Sequence, residues 1–280
     1  PAANVRRIDM NGEPPELVVV YKVDDLRGTH CPVAVQFNEA FDVTLVDAYV
    51  RDNGIALVIF HHENDMKRFP HWAERRTVRA HLPHCADTSI YRPYSRNEIF
   101  NVTHDDAFWN AQHKDIDILV AGNLNQSYYP LRFRLKELAR TWFKKRGYNV
   151  KILGHPGYTL PPRENTYVGV EFAKLLSRSK LVFTCSMRWK YALAKYSEIA
   201  ACRSLAVADV PDERKDFFAE TVAVVEPHWT DKQIIDKVEA LLDGEDGALE
   251  RLTTRAYDLT LDNYTMKHYA EPFERTAREF

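Results

Sequence analysis

The chain has little that would tie it to several common protein classes. Its 280 residues include four cysteines, Cys31, Cys85, Cys185 and Cys202, and none forms a CxxC pair of the kind that holds zinc or runs redox exchange. Four thiols could pair in three ways that spacing alone does not choose among, and their scatter reads as reduced packing residues of a cytoplasmic protein. No stretch approaches the run of about 18 apolar residues that spans a bilayer. The opening PAANVRRIDMNGEPPE also lacks the apolar centre of a signal peptide. Neither sign of charge prevails: 38 Lys and Arg face 40 Asp and Glu, for a net charge of -2. Such a chain has no global field to draw a polyanion, which sets nucleic acid aside as a partner, although a local basic patch stays open. There is no GxGxxG fingerprint, which argues against a nicotinamide or flavin dinucleotide. Repeats, heptads and low-complexity tracts are absent as well.

What remains is an ordinary globular composition, 45% hydrophobic and 28% charged, long enough for two modest domains. Short apolar runs alternate with helical patterns, the mark of βα units around a parallel sheet. In the first half, Leu17–Lys22, Val33–Phe37, Ile55–Phe60 and Val78–Leu82 read as strands, with helices over Val43–Arg51 and Asn64–Arg76. A proline-containing polar stretch from Pro83 to about Lys114 reads as a connector. The pattern then restarts, with strands at Ile116–Ala121, Tyr148–Leu153, Leu181–Cys185, Ser204–Ala208 and Val222–Val225. Helices are expected at Pro130–Lys145, Thr166–Ser177, Tyr191–Cys202, Asp231–Leu242, Ala248–Tyr257 and Thr265–Glu279. The domain expectation is therefore a reduced N-terminal α/β domain over 1–100, a second Rossmann-like domain over 115–262, and a final helix over 263–280.

Two segments carry residue types suited to binding a phosphorylated ligand. The strand ending at Ala121 passes through Gly122, Asn123 and further small polar residues to Tyr128 and a helix begun by Pro130. Backbone N–H groups at such a helix start, with its dipole, suit an anion. A glycine after a strand is also common without any ligand. The second segment, Ser186 to Cys202, places Arg188 and Lys190 after a strand and then Lys195, Tyr196 and Glu198 in a helix. Fixed cations stabilise the charge that develops on a departing diphosphate, and a carboxylate one turn beyond Lys195 can accept both hydrogen bonds of a ribose diol. The same run would equally serve as a solvated basic helix start with Glu198 paired to Lys195.

The run from Lys195 to Arg203, followed by Leu205–Asp209, resembles the glutamate, small helix, glycine and strand signature in the donor domain of GT-B glycosyltransferases. Asp117–Gly122 with Tyr129–Arg132 is similar to the first strand and helix of that domain in the group-1 branch that includes spore-coat glycosyltransferases. Tyr167–Lys180 looks like its helix before the donor-binding strand, and His84–Asp87 through Tyr91–Pro93 looks like an interdomain hinge. The resemblance covers roughly 81–280, and exostosin-like transferases share its logic. Two positions depart from the pattern. Retaining members often carry a second glutamate eight residues before the first, where this chain has Lys190, and the family's glycine after the helix is Arg203.

The resemblance implies two Rossmann-like domains. It also implies transfer of a sugar from a nucleotide diphosphate donor, UDP by family frequency, to a hydroxyl of a glycan or other acceptor. Donor-binding residues would be Gly122, Asn123, Tyr128, Arg188, Lys190, Lys195, Tyr196 and Glu198, with the nucleotide sugar as substrate and no cofactor or metal. Lys190 in place of the second glutamate favours inversion, which needs a general base for the acceptor hydroxyl. Glu39 and His62, at predicted strand ends of the first half, are the choices. His61-His62-Glu63 invites a metal reading, yet neighbours on an extended segment point in opposite directions. Two rivals remain: a GT-B sugar epimerase, and a noncatalytic module that binds nucleotide sugar or glycan.

Overall fold

Buried on both faces, the inner strands of a parallel sheet need apolar side chains, and runs in both halves of this chain, Leu57–Phe60 and Leu205–Ala208, meet that demand. The computed structural model describes residues 18–20, 33–37, 40, 42–75, 77–102, 114–156, 167–244 and 247–279. The chain divides into two units, one of residues 1–84 with 269–280 and the other of 85–268.

The first unit has four parallel strands in the order of the chain: β1 (Val18–Val20), β2 (Val33–Phe37), β3 (Leu57–Phe60) and β4 (Val78–His81). Side chains alternate between two cores. Val33, Val35, Val58 and Phe60 face one, while Ala34, Leu57, Ile59 and Ala80 face the other with Tyr269 and Phe273. Helix α1 (Val43–Asp52) starts at Asp42, whose carboxylate accepts the Leu45 N–H at 3.0 Å. The single helix expected over Asn64–Arg76 is broken. Helix α2 (Glu63–Met66) stops early and a 3-10 turn follows at Pro70–Arg75. Pro70 lacks the N–H that a continuing helix needs and disfavours helical backbone at Phe69. The break lets Phe69 and Trp72, both fully buried, stack at 4.3 Å and pack on Phe60.

The second unit contains helix α3 (Arg96–Phe100), β5 (Ile116–Val120), α4 (Pro130–Leu138), β6 (Val150–Ile152), α5 (Gly169–Ser177) and β7 (Ser179–Phe183). Then come α6 (Ala194–Ala201), β8 (Leu205–Ala208), α7 (Lys215–Thr221), β9 (Val222–Val224), α8 (Asp231–Asp243) and α9 (Ala248–Asn263). The last helix, α10 (Met266–Glu279), leads into the first unit. All five strands are parallel, in the order β6-β5-β7-β8-β9. Ile118, Val120, Leu181, Phe183 and Val207 fill one face, and Leu119, Val182, Ala206 and Ala208 the other.

Two expectations need correction here. The described part of the stretch read as a connector is no linker: Ser95 and Glu98 close a capping box on α3, and Tyr94 is buried in the core of the second unit. Helix α7 was not expected at all. Its seven residues bury only Phe218 and Thr221, too few to print an apolar period. Arg203, where the GT-B pattern has glycine, takes the left-handed backbone that glycine favours, with φ 53. Its guanidinium is held by Glu250 and Thr254 of α9, which offsets the strain.

Candidate functional site

A sheet in the order β6-β5-β7-β8-β9 reverses direction between β5 and β7, and ligands of open α/β sheets bind beyond the carboxyl ends of the strands at that point. The chain leaves β5 through Ala121 and Gly122, whose φ is 111. A side chain there would be strained, and its Cβ would come within 2.9 Å of Arg132 Nη1 and 3.1 Å of Lys195 Cε. Glycine at 122 thus lets two cations close over the end of the strand.

Arg132, on α4, is 2% exposed. Its Nη1 donates to the Asn123 carbonyl at 3.1 Å, and its Nη2 donates to Thr184 Oγ1 at 2.9 Å and the Cys185 carbonyl at 3.4 Å. The guanidinium therefore spans the two strand ends at which the order reverses. Its Nε makes no hydrogen bond, and no carboxylate pairs with it among the described residues. A buried charge without a counterion is costly, so its retention points to an anion supplied from outside.

Beside it opens a cavity of about 520 Å³. Its walls come from the end of β5, the Leu153–Pro156 segment after β6, the start of α5, and Lys195 and Glu198 of α6, with Tyr91. Helices α5 and α6 both begin without a side-chain cap, so their first N–H groups remain available to a ligand. Lys195 lies 3.9 Å from Glu198 and 4.5 Å above the Phe172 ring. Burial is the main cause that holds its ammonium below the ordinary lysine range. Tyr91 lines the cavity with Glu198, and its phenol is pushed up by burial first and by the Glu198 carboxylate second. His155 is held below the ordinary histidine range by burial, then by Lys195 and Arg132. One cation, one carboxylate and one imidazole thus line a single concavity, and Arg132 lies behind Gly122 at its edge.

Of the residues singled out in the sequence, Gly122, Lys195 and Glu198 line this cavity. Asn123 lies next to it and gives its carbonyl to Arg132. The others face elsewhere. Lys190 is engaged by the buried carboxylate of Asp209 at 2.7 Å, with Glu226 at 3.9 Å. Asp209 also accepts from the Ser186 N–H and hydroxyl, and the loop turns through left-handed backbone at Met187 and Lys190. That turn carries Arg188 out onto the Trp189 ring, 4.4 Å away, in an exposed position. Tyr196 is a core residue, its hydroxyl donating to the Asp209 carbonyl and its ring against Phe218. Tyr128 is 41% exposed and packs on Trp189. The expected row of cations is therefore not one cluster, because a strand-to-helix loop tied down by Asp209 separates residues adjacent in sequence.

Arg132, His155, Tyr91 and Phe172 were not among the candidate donor-binding residues, although Arg132 and Tyr91 lie in segments that the resemblance covers. An arginine three residues into a helix that starts after a glycine loop could have marked the first. The others are brought in by strands and helices distant in sequence.

In the first unit, His62 is 1% exposed and precedes α2. His61 and His62 do not diverge as adjacent strand residues would. Both rings contact His84, at 4.0 and 5.3 Å, because the strand ends at Phe60 and the backbone turns into α2. His61 also bonds the Leu82 carbonyl at 2.8 Å and the Gln36 side chain, and Glu63 pairs with Lys67 at 2.9 Å. Burial, with His61 and His81 nearby, pulls His62 down to about 3, so its ring is neutral at pH 7. Glu39 lies outside the described residues.

Residues 131–275, just over half of the chain, match a family model described as glycosyl transferase-like. No curated protein matches the chain. Solved structures share the fold at low identity. HepE of Anabaena, solved with UDP and glucose, superposes with a TM-score of 0.61 at 12% identity, over 90% of this chain and 73% of that one. Sucrose-phosphate synthase from Thermosynechococcus elongatus gives 0.56 at 12%, over 89% and 68%. The GtfA/B complex gives 0.51 at 10%, over 89% and 53%, so this chain spans only about half of that relative. No described helix is long and apolar enough to cross a membrane. With two parallel α/β units, a cavity beyond the strand ends of the second and a family match over residues 131–275, the chain belongs to the glycosyl transferase-like family and has the GT-B fold.

Proposed function

We propose that this chain transfers a glycosyl group from a nucleoside diphosphate donor, held in the cavity of the second unit, to an acceptor hydroxyl. The observation that carries the reading is Arg132, a buried guanidinium without a carboxylate, set beside Lys195 where the β5-β7 order reverses. A diphosphate supplies the missing charge in binding. As the glycosidic bond breaks, more negative charge collects on it, and donors already fixed in place stabilise that charge without reorganising. Glu198 takes the ribose hydroxyls. UDP is the preferred carrier, in line with HepE, solved with UDP-glucose, and with the UDP-forming trehalose-phosphate synthase from Burkholderia vietnamiensis, both of the same fold. The reaction inverts the anomeric centre and needs no metal ion. The proton of the acceptor goes to a general base, for which the sequence offers Glu39 and His62. His62 is in the neutral form that a base requires, although a ring that holds a proton only below about pH 3 accepts one weakly.

Incubation with a panel of nucleotide sugars and a hydroxyl-bearing acceptor, in excess EDTA, tests the whole reading. Transfer or slow hydrolysis of a UDP-sugar is expected. Interconversion of the sugar would indicate an epimerase, and binding without turnover a noncatalytic module.

Two variant series test the assignments within the cavity. Lys195→Met should weaken UDP binding by about tenfold or more, the scale of a lost charge-assisted hydrogen bond, whereas Arg188→Ala should leave it within about twofold because that side chain is exposed on Trp189. Equal losses in the two variants would return Arg188 to the site. Wild type should also prefer UDP over its 2′,3′-dideoxy analogue by roughly 1–3 kcal/mol, the cost of a buried acceptor left unmatched. Glu198→Gln should lose most of that preference with an unchanged circular dichroism spectrum. A variant that discriminates as well as wild type would show that Glu198 is not the ribose ligand.

A further inference from the structure

The loops that follow β5 and β7 meet a second time outside the donor cavity. The β5 loop has Gly122 in the cavity lining at its start and Tyr128, 41% exposed, at its end. The Arg188 N–H of the β7 loop donates to the Tyr128 carbonyl at 3.0 Å and fixes one loop to the other. Trp189 stands beside Tyr128, with ring centroids 5.7 Å apart and planes tilted by 36°, and is backed by the buried Tyr191 ring at 6.2 Å. The Arg188 guanidinium lies 4.4 Å from the Trp189 centroid, is exposed, and pairs with no carboxylate among the described residues. Both loops are anchored from within. Asp209 holds Ser186 and Lys190 on either side of Arg188 and Trp189, and the Asn125 carbonyl accepts the N–H groups of Tyr128 and Tyr129 at 3.2 and 2.9 Å. Two aromatic rings and one cation are thereby presented together at the surface.

We propose that Tyr128, Trp189 and Arg188 form a platform that binds an acidic sugar, one that carries a carboxylate, as a unit of the acceptor glycan. Its role as an acceptor site rests on the reading of the chain as a glycosyltransferase, whereas its ligand chemistry does not. The C–H face of a pyranose is apolar and weakly positive, which suits the negative face of an aromatic ring such as that of Tyr128. Stacking on Trp189 occupies the plane of the guanidinium and leaves its N–H edge for two parallel hydrogen bonds to a carboxylate. Anchored loops lose little freedom when the sugar docks. A protein partner fits less well, since two rings and one charge fall far short of the roughly 800 Å² that a stable interface covers on each side. The platform stands at the carboxyl ends of the same two strands as the donor cavity, and the β5 loop runs from one to the other.

Saturation-transfer NMR and calorimetry with sialyllactose, a glucuronate tetrasaccharide and a galacturonate trisaccharide, each beside its carboxyl-reduced form, test the platform. Wild type should bind at least one of the acids about tenfold more tightly than its reduced form, the scale of a bidentate charge-assisted contact. Arg188→Ala should bring the acid down to the level of the reduced sugar. Tyr128→Ala should weaken acid and reduced sugar alike, by about tenfold, through the lost ring face. Both variants should keep UDP affinity within about twofold of wild type, which also shows that the second unit is folded. Failure of every acid to bind, the result a protein-docking patch would give, overturns the proposal, as does equal binding of acid and reduced sugar or acid binding unchanged in both variants. A wild type that binds an acid but not UDP would instead overturn the donor cavity and leave the platform in place.

Discussion

Arg132→Met is expected to lower kcat/KM for the donor by about 10²–10³-fold, or roughly 2.7–4 kcal/mol of transition-state stabilisation. The effect should exceed that of any other single change in the cavity. Arg132 is 2% exposed and bridges the ends of β5 and β7 through Asn123, Thr184 and Cys185, so no mobile side chain can take its place. Stability should respond differently. Methionine leaves the three acceptors unmet, at about 1–3 kcal/mol each at most, but it also removes a buried cation that has no carboxylate partner. The two terms oppose, and the melting temperature should move by only a few degrees. Arg132→Lys should recover part of the activity, as a point charge without the planar fork that reaches both strand ends. Melting curves and donor kinetics on the two variants decide the matter. A variant whose activity falls only in proportion to its folded fraction would reduce Arg132 to a structural tie.

The second large effect concerns the opposite end of the same sheet. Lys114 precedes β5, is 4% exposed, and donates to the Ser177 carbonyl at 2.8 Å and Ser204 Oγ at 3.2 Å. An ammonium has three protons to donate and finds two acceptors among the described residues. Burial pulls Lys114 down to about 7. Between that value and the ordinary lysine value of 10.5 the folded state binds fewer protons than the unfolded chain, so this residue makes stability rise with pH across the window. Below about pH 7 both states are protonated and the folded state carries the full cost of the buried charge, on the order of 5 kcal/mol. Lys114→Met should therefore be more stable than wild type at pH 6.5, less the contribution of two lost hydrogen bonds. Its advantage should shrink steadily toward pH 10. Donor affinity should not change, because the cavity lies at the carboxyl end of β5 and Lys114 at its start. Denaturant unfolding of both proteins at several pH values measures the difference. A gap between them that does not vary with pH would mean that Lys114 stays charged in the folded protein.

The parallel α/β class, most strands and the place of the strand-to-helix loop after Ile116–Ala121 follow from local chemistry alone. A run such as Leu181–Phe183 or Leu57–Phe60 can be apolar at every position only if both faces are covered, and that condition is written in consecutive residues. Gly122, Lys195 and Glu198 were legible for a similar reason, since a glycine at a strand end and an i,i+3 pair on a helix are relations within a few residues. Helix α3 and the break at Pro70 show the limit even of local signals: a polar stretch can be capped by Ser95 and Glu98 into a helix, and one proline can split another. The rest of the site depends on strand order. Because β7 pairs with β5 rather than with β6, Arg132 comes to be buried between Asn123 and the Thr184–Cys185 segment, some sixty residues apart in sequence. His155 meets Lys195 by the same pairing, and Arg188 and Lys190 are drawn away by the carboxylate of Asp209 at the end of the next strand. Which charge meets which is a property of contacts between distant segments, and only the tertiary structure decides it: electrostatic influence falls with distance in space, and sequence order does not measure that distance.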